Sequence, residues 1–236
     1  ELHRERQTAL EAGVEQMIGR AMRPDVAYWH RRVTSAADPN VLLGTTIIFP
    51  NTVASGHAAG VDVRLELPRR RGWSGYLSYT NSRVEQVGPI TGGLFLESEI
   101  VEIGPGTRFT PDHDQRNVGA MGMTYEHEGG RFWAALSARY ESGTPLEVDD
   151  DDEQELCQRP GAELVDFERG RVKPRRVIDL VAAHRLLRLS RGELSVRVSL
   201  LNLTGGQWAY NFGNPFSGTH FGPGRTIHVG ARIALR

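Results

Sequence analysis

Three groups of side chains in this 236-residue chain have the types and spacing to do chemistry. Asp112, His113 and Asp114 offer the oxygen and nitrogen donors that hold a transition metal, and Asp149 to Glu153 cluster carboxylates of the kind a calcium ion prefers. Trp208, Tyr210, Phe212, Phe216 and Phe221 gather ring faces on which a sugar or another ring-bearing solute could stack. Each group also has a plainer reading. Three consecutive residues in a strand or loop rarely converge on one ion, so Asp112 to Asp114 read as the polar approach to a strand. The acidic run reads as a solvated loop. The aromatic residues read equally well as loop packing or as anchors at a membrane interface.

Enzyme chemistry finds no further support. Serines and histidines are scattered without a nucleophile elbow, and no glycine-rich loop leads from a strand into a phosphate-cradling helix. Gly222 and Gly224 flank Pro223, which is turn chemistry. Cys157 is the single cysteine. It has no disulfide partner in the chain, so it is either a free surface thiol or half of a pair completed elsewhere. No catalytic residue, metal or cofactor is expected, and the sequence singles out no ligand-binding residue. Lysine and arginine number 28 against 29 acidic residues, a formal charge of -1. That balance gives no footprint for nucleic acid.

Glu1 to Arg6 carry no apolar stretch, so no signal peptide is read in the chain as given. No run of 18 apolar residues predicts a membrane helix. A mean hydropathy of -0.39 with 27 glycines nevertheless suits membrane strands, which face lipid with every second residue only.

The elements that would position these groups are strands, because period-two alternation recurs along the chain. Val61, Val63, Leu65 and Leu67 alternate with Asp62, Arg64 and Glu66. Phe132 to Glu141 places aromatic residues at both ends of an alternating run. Leu194, Val196, Val198 and Leu200 alternate with polar neighbours, as do Ile227, Val229, Ala231, Ile233 and Leu235. Weaker strands are predicted at Thr8 to Ile18, Arg23 to Thr34, Trp73 to Val84, Asn117 to His127 and Arg176 to Leu189, about nine strands in all. At the amino end an amphipathic helix competes, because Leu10, Val14, Met17, Ile18 and Ala21 fall at helical spacing and Thr8 with Glu11 forms a capping box. Gly13 weakens it. The Arg176 to Leu189 run, rich in Ala and Leu, could also be helical by propensity.

Connections alternate in length. Breaks of a few residues at Gly19 to Arg23, Pro68 to Gly72, Glu128 to Gly130 and Ser190 to Gly192 predict hairpin turns. Ser35 to Gly56, Glu85 to Arg116, Gly143 to Arg175 and Gly205 to Gly224 predict long loops, a rhythm foreign to compact domains. Outer-membrane barrels have short turns on one side and long loops on the other. A soluble β-sandwich gives the same alternation with its apolar faces turned to a core, and stays open at this point.

Specific runs add a family resemblance. FTPDHDQRN, from Phe109 to Asn117, resembles the approach to a strand in TonB-dependent outer-membrane receptors. The stretch from Asn202 to Leu235 is similar to their closing hairpin, with Asn202 and Leu203 ending one strand and Arg225 and Thr226 opening the last. Trp73 to Val84 and Thr8 to Ile18 resemble other strands of that family, the latter favouring strand over helix. The chain ends on Leu235 and Arg236, where the family ends on an aromatic residue.

The resemblance implies an all-β antiparallel transmembrane barrel segment, residues 1–236 being the carboxy-terminal portion of the barrel, without the plug domain. It implies uptake of a ligand across the bacterial outer membrane, with the TonB system, the lipid bilayer and the ligand itself as partners. Ferric siderophore, cobalamin, oligosaccharide and peptide all stay open as ligands. A passive porin and a soluble carbohydrate-binding module are the alternatives.

Overall fold

The computed structural model describes residues 4–41, 48–92, 104–111, 113–146, 153–189, 192–214 and 218–235. Nine long strands dominate them: β1 (Arg6–Glu15), β2 (Arg23–Val41), β3 (Ile48–Arg70), β4 (Trp73–Gly92), β6 (Asn117–Glu126), β7 (Phe132–Glu141), β10 (Arg175–Leu189), β11 (Gly192–Leu201) and β14 (Thr226–Leu235). Each pairs antiparallel with the next, in the order β1-β2-β3-β4-β6-β7-β10-β11-β14, and β5 (Arg108–Phe109) adds to β4. The remaining elements are α1 (Glu153–Leu156), two 3-10 turns, and the small pairs β8 (Val165–Asp166) with β9 (Arg171–Val172) and β12 (Ala209–Asn214) with β13 (Gly218–Phe221).

The competing helices at the amino end and at Arg176 to Leu189 are strands, β1 and β10. At β1 the ladder from Arg6↔Thr34 to Glu15↔Asp25 satisfies every backbone group on one side and aligns Val14 with Val26 and Ala12 with Tyr28. Helical spacing of Leu10, Val14 and Met17 is compatible with a strand because Leu10, Ala12 and Val14 also share strand parity.

Register keeps one apolar face across the whole meander. Leu65 opposes Leu77, Leu77 opposes Met121, Met123 opposes Leu136, Leu136 opposes Leu180, Leu180 opposes Leu200 and Leu200 opposes Ile227. A slip of one residue in any pair would turn that strand over, so the apolar rows fix the register. Nothing among the described residues covers this face. Leu10 is 68% exposed and Val229 72% exposed, which a sandwich core would not permit.

Aromatic rings border the apolar band at both ends. At the short-turn end Trp73, Tyr125, Phe132 and His184 form a chain of ring contacts with centroids 4.8, 6.4 and 6.5 Å apart. Toward the long loops the same face carries Tyr28, Tyr79 and Tyr140. Phe132 and Tyr140 are eight residues apart on one strand, about 27 Å along it and about 21 Å along the barrel axis at a 40° tilt. That height fits a bilayer's hydrocarbon layer.

The opposite face is polar. Arg64 pairs with Glu66 at 2.6 Å, Glu66 also pairs with Arg23, and the Thr80 hydroxyl donates to Asp62 at 2.6 Å. Rings here lie flat over glycine. A Cβ on Gly122 would sit 2.5 Å from the Tyr76 ring, and one on Gly60 would sit 2.7 Å from the Trp29 indole. Arg31 and Arg197 stack over Trp29 and Trp133 at 5.6 and 5.9 Å.

Short turns join the strands at one end. Arg71 and Gly72, at φ 52° and 85°, make the left-handed two-residue hairpin between β3 and β4. The long connections differ from expectation, because much of each is ordered backbone. β2 and β3 stay paired up to Val41↔Ile48, far into the predicted loop from Ser35 to Gly56, and β4 runs on to Gly92. The physical reason is solvent symmetry. Beyond the bilayer both faces of a strand meet water, so the ladder continues while the alternating pattern that signals it disappears.

Candidate functional site

The long-loop rim is where the sequence-predicted groups come together. Asp114 is its hub. Its carboxylate is fully buried and accepts from the Val84 backbone N–H at 2.9 Å, from Arg116 Nε at 2.9 Å and from Arg171 at 2.6 Å. The other Arg171 nitrogen donates to the carbonyls of Asp114 and Gly143, each at 3.1 Å. Burial alone would raise the pKa of this carboxyl, but Val84 N–H and the two guanidiniums outweigh it and hold it below the ordinary aspartate range. Its oxygens thus hold Arg116, Arg171 and the Val84 N–H together. Asp112 lies outside the described residues, and His113 is exposed.

A second knot sits beside it. Arg175, at the start of β10, pairs with Glu141, donates to the Tyr210 hydroxyl and stacks over the Trp208 and Tyr210 rings at 5.5 and 5.0 Å. Gln115 reaches Glu141 at 3.3 Å, linking this knot to the Asp114 segment.

Above both, Leu156, Val165, Val172, Ala209 and Phe212 form a small apolar core, and Phe167 meets Phe212 edge to face at 6.2 Å. These residues belong to the 142–174 and 205–225 connections. Three connections are therefore welded into one platform on the rim.

The aromatic group from Trp208 to Phe221 divides. Trp208 and Phe212 are buried, so packing within the loops is their role and stacking on a solute is not. Tyr210 and Phe221 stay exposed and could meet one. Phe216 and most of the acidic run from Asp149 to Glu153 lie outside the described residues.

Asn202 does for the last connection what Asp114 does for the first two. It is buried at φ 49°, and its side-chain amide donates to the carbonyls of Gly206 and Pro223 at 2.9 and 3.1 Å, tying both legs of the connection together. Its own N–H donates to Asp179 at 2.8 Å. Asn202→Ala should cost about 1–2 kcal/mol, since the Gly206 and Pro223 carbonyls lose their donor and alanine resists the left-handed backbone. Asn202→Gly, which keeps the backbone, should cost about half as much; equal losses in thermal unfolding would deny the backbone its share.

Sequence reasoning did not find the Arg171, Arg175 and Glu141 contributions. Nothing in their spacing signals them, because each meets partners 26 to 57 residues away; the only local hint is the DHDQR run itself.

On the polar face below the platform, Val181, Arg197, Ser199, Leu201, His228 and Gly230 line a groove of about 380 Å³. Arg197 gives it a fixed positive charge, with the His228 imidazole beside it.

Eleven chains of known structure match this architecture. The ferric-catecholate import receptor Fiu of Escherichia coli K12 superposes over 95% of this chain with a TM-score of 0.60 and 12% identity. The outer membrane transporter YddB of Escherichia coli does so over 98%, with a TM-score of 0.60 and 11% identity. This chain has the fold of a segment of outer-membrane barrel wall. The wall spans 27% of the first structure's length and 32% of the second's. No protein-family model and no curated protein matches it by sequence. At such low identity the likeness is one of architecture alone.

Proposed function

We propose that this chain is the carboxy-terminal part of the barrel of an outer-membrane receptor that takes up a solute in a TonB-dependent step. The observation that carries the reading is the two-faced meander. Nine strands present a lipid-compatible apolar band outward and a charged, groove-bearing face inward, and both structural neighbours named above are described as an importer or a transporter. The DHDQR run and the Asn202-Leu203 and Arg225-Thr226 pairs support the receptor family over other barrels, because each sits at a structural knot or strand end of the rim.

In this reading the rim platform and the inner groove bind the solute, with Tyr210, Phe221, Arg197 and His228 as the exposed contacts. A plug domain supplied by the rest of the protein gates the lumen and meets TonB. The part this reading gives the chain is recognition and passage.

Two experiments test this. Fractionation with surface labelling of the 149–159 segment on intact cells should find the protein in the outer membrane, in a band well above 26.2 kDa. Deleting the gene should then abolish growth on one limiting source among a ferric catecholate, cobalamin, an oligosaccharide and a peptide, and deleting TonB should reproduce that defect. A soluble antigen near 26.2 kDa sinks the reading, and a defect that ignores TonB replaces it with passive passage.

A further inference from the structure

We propose that the outward face of the β2-β3-β4 sheet, just above the apolar band, binds the phosphate-bearing headgroup of a membrane lipid. The site follows from register. The face that carries Val26, Tyr28, Val61, Val63, Leu77 and Tyr79 continues toward the long loops with His30 and Arg32 on β2, Ala59, His57 and Ser55 on β3, and Asn81, Arg83 and Glu85 on β4. Arg108 joins them, because it opposes Val87 on the same face.

These residues enclose a groove of about 280 Å³ lined by His30, Arg32, Ser55, His57, Val87 and Arg108. Glu85 organises it. Its carboxylate meets Arg108 at 2.9 Å, Arg83 at 3.5 Å and His57 at 3.8 Å. Three guanidiniums against one carboxylate leave a surplus of two positive charges even with both histidines neutral.

Position selects the occupant. The groove is continuous with the lipid-facing band and points away from the lumen, so a transported solute would not pass it. A guanidinium at this height reaches the headgroup layer while its stem lies along the band. There it meets phosphate, to which arginine binds with paired hydrogen bonds. Arg176, outward-facing beside Tyr140 at the band's edge, extends the cationic row to β10. Rings border the band at both ends, and this cationic row stands just beyond those at the long-loop end.

The proposal goes beyond uptake and rests only on the apolar band facing lipid. The test uses the whole protein extracted from its membrane in detergent, with diphosphorylated lipid A as probe, read by native mass spectrometry. The wild type should retain the lipid, and the R32Q/R83Q/R108Q variant should bind it about a hundred-fold more weakly, near five-fold for each arginine removed. Equal retention by the variant overturns the site. Competition by inorganic pyrophosphate at concentrations comparable to the lipid's also overturns it, since the groove would then be a site for a soluble anion. Should the triple variant fail to assemble, Arg108→Gln alone decides: a five-fold loss sustains the site and unchanged binding removes it.

Discussion

Asp114→Ala should destabilise the rim by about 3 kcal/mol, because it strips a buried carboxylate from two guanidiniums and leaves Arg171 without its charged partner. Arg116 keeps access to water, which places the loss at the lower end of the range for a broken buried pair. The effect should be local first. The 142–174 connection is pinned to the barrel by Arg171 through Asp114 and Gly143, so trypsin should cleave after Arg169 and Arg171 in the variant on intact cells and spare the wild type. Unchanged cleavage and unchanged melting would show that the apolar core around Phe212 holds the platform without the ion pairs.

The same carboxylate sets a pH limit. Its folded pKa lies below the ordinary value of about 3.9, so its contribution is complete above that value and is lost as pH falls through the folded pKa. Amide exchange across residues 153–174 should therefore stay slow from neutral pH down to about 4 and accelerate only below it. Acceleration between pH 7 and 5 would assign the lock to some other group.

The second large effect concerns faces. Leu136→Arg should cost about 2–4 kcal/mol and impair assembly, because Leu136 stands mid-band between Met123 and Leu180 with its side chain toward lipid. Its neighbour Ser137 opposes Gly122 and Asp179 on the inner face, where Ser137→Arg should cost under about 1 kcal/mol and gain a carboxylate nearby. Heat-modifiability of the folded barrel separates the two. A reversed order would turn the barrel inside out.

The strands were legible in the sequence because lipid on one side and water on the other impose alternation, and Leu194 to Leu200 or Ile227 to Leu235 display it residue by residue. The upper halves of β2, β3 and β4 were not, since water on both sides removes that contrast and leaves only a backbone ladder, which side chains do not announce. The candidate site divides in the same way. Asp114 and Asn202 stand in runs that could be noticed as motifs, but their partners are brought in by the meander. Arg171 approaches Asp114 because β7 and β10 return the chain to the same rim, a fact of topology that no local window contains. The burial of Trp208 and Phe212 was hidden for a similar reason: five aromatic residues in a loop look alike until Phe212 meets Phe167 of the 142–174 connection and Trp208 packs against Gly222 and Arg175.

The tall hairpin changes what the outside world meets first. From His57, at the band's edge, β3 continues nine residues to Ile48, about 30 Å along the strand. A phage, an antibody or a neighbouring cell arriving from outside touches this parapet well before it reaches lipid. Its backbone is paired with β2 up to Ile48 and with β4 from Asn51 down, so sequence drift there, under pressure to escape such visitors, can proceed without unseating the barrel below.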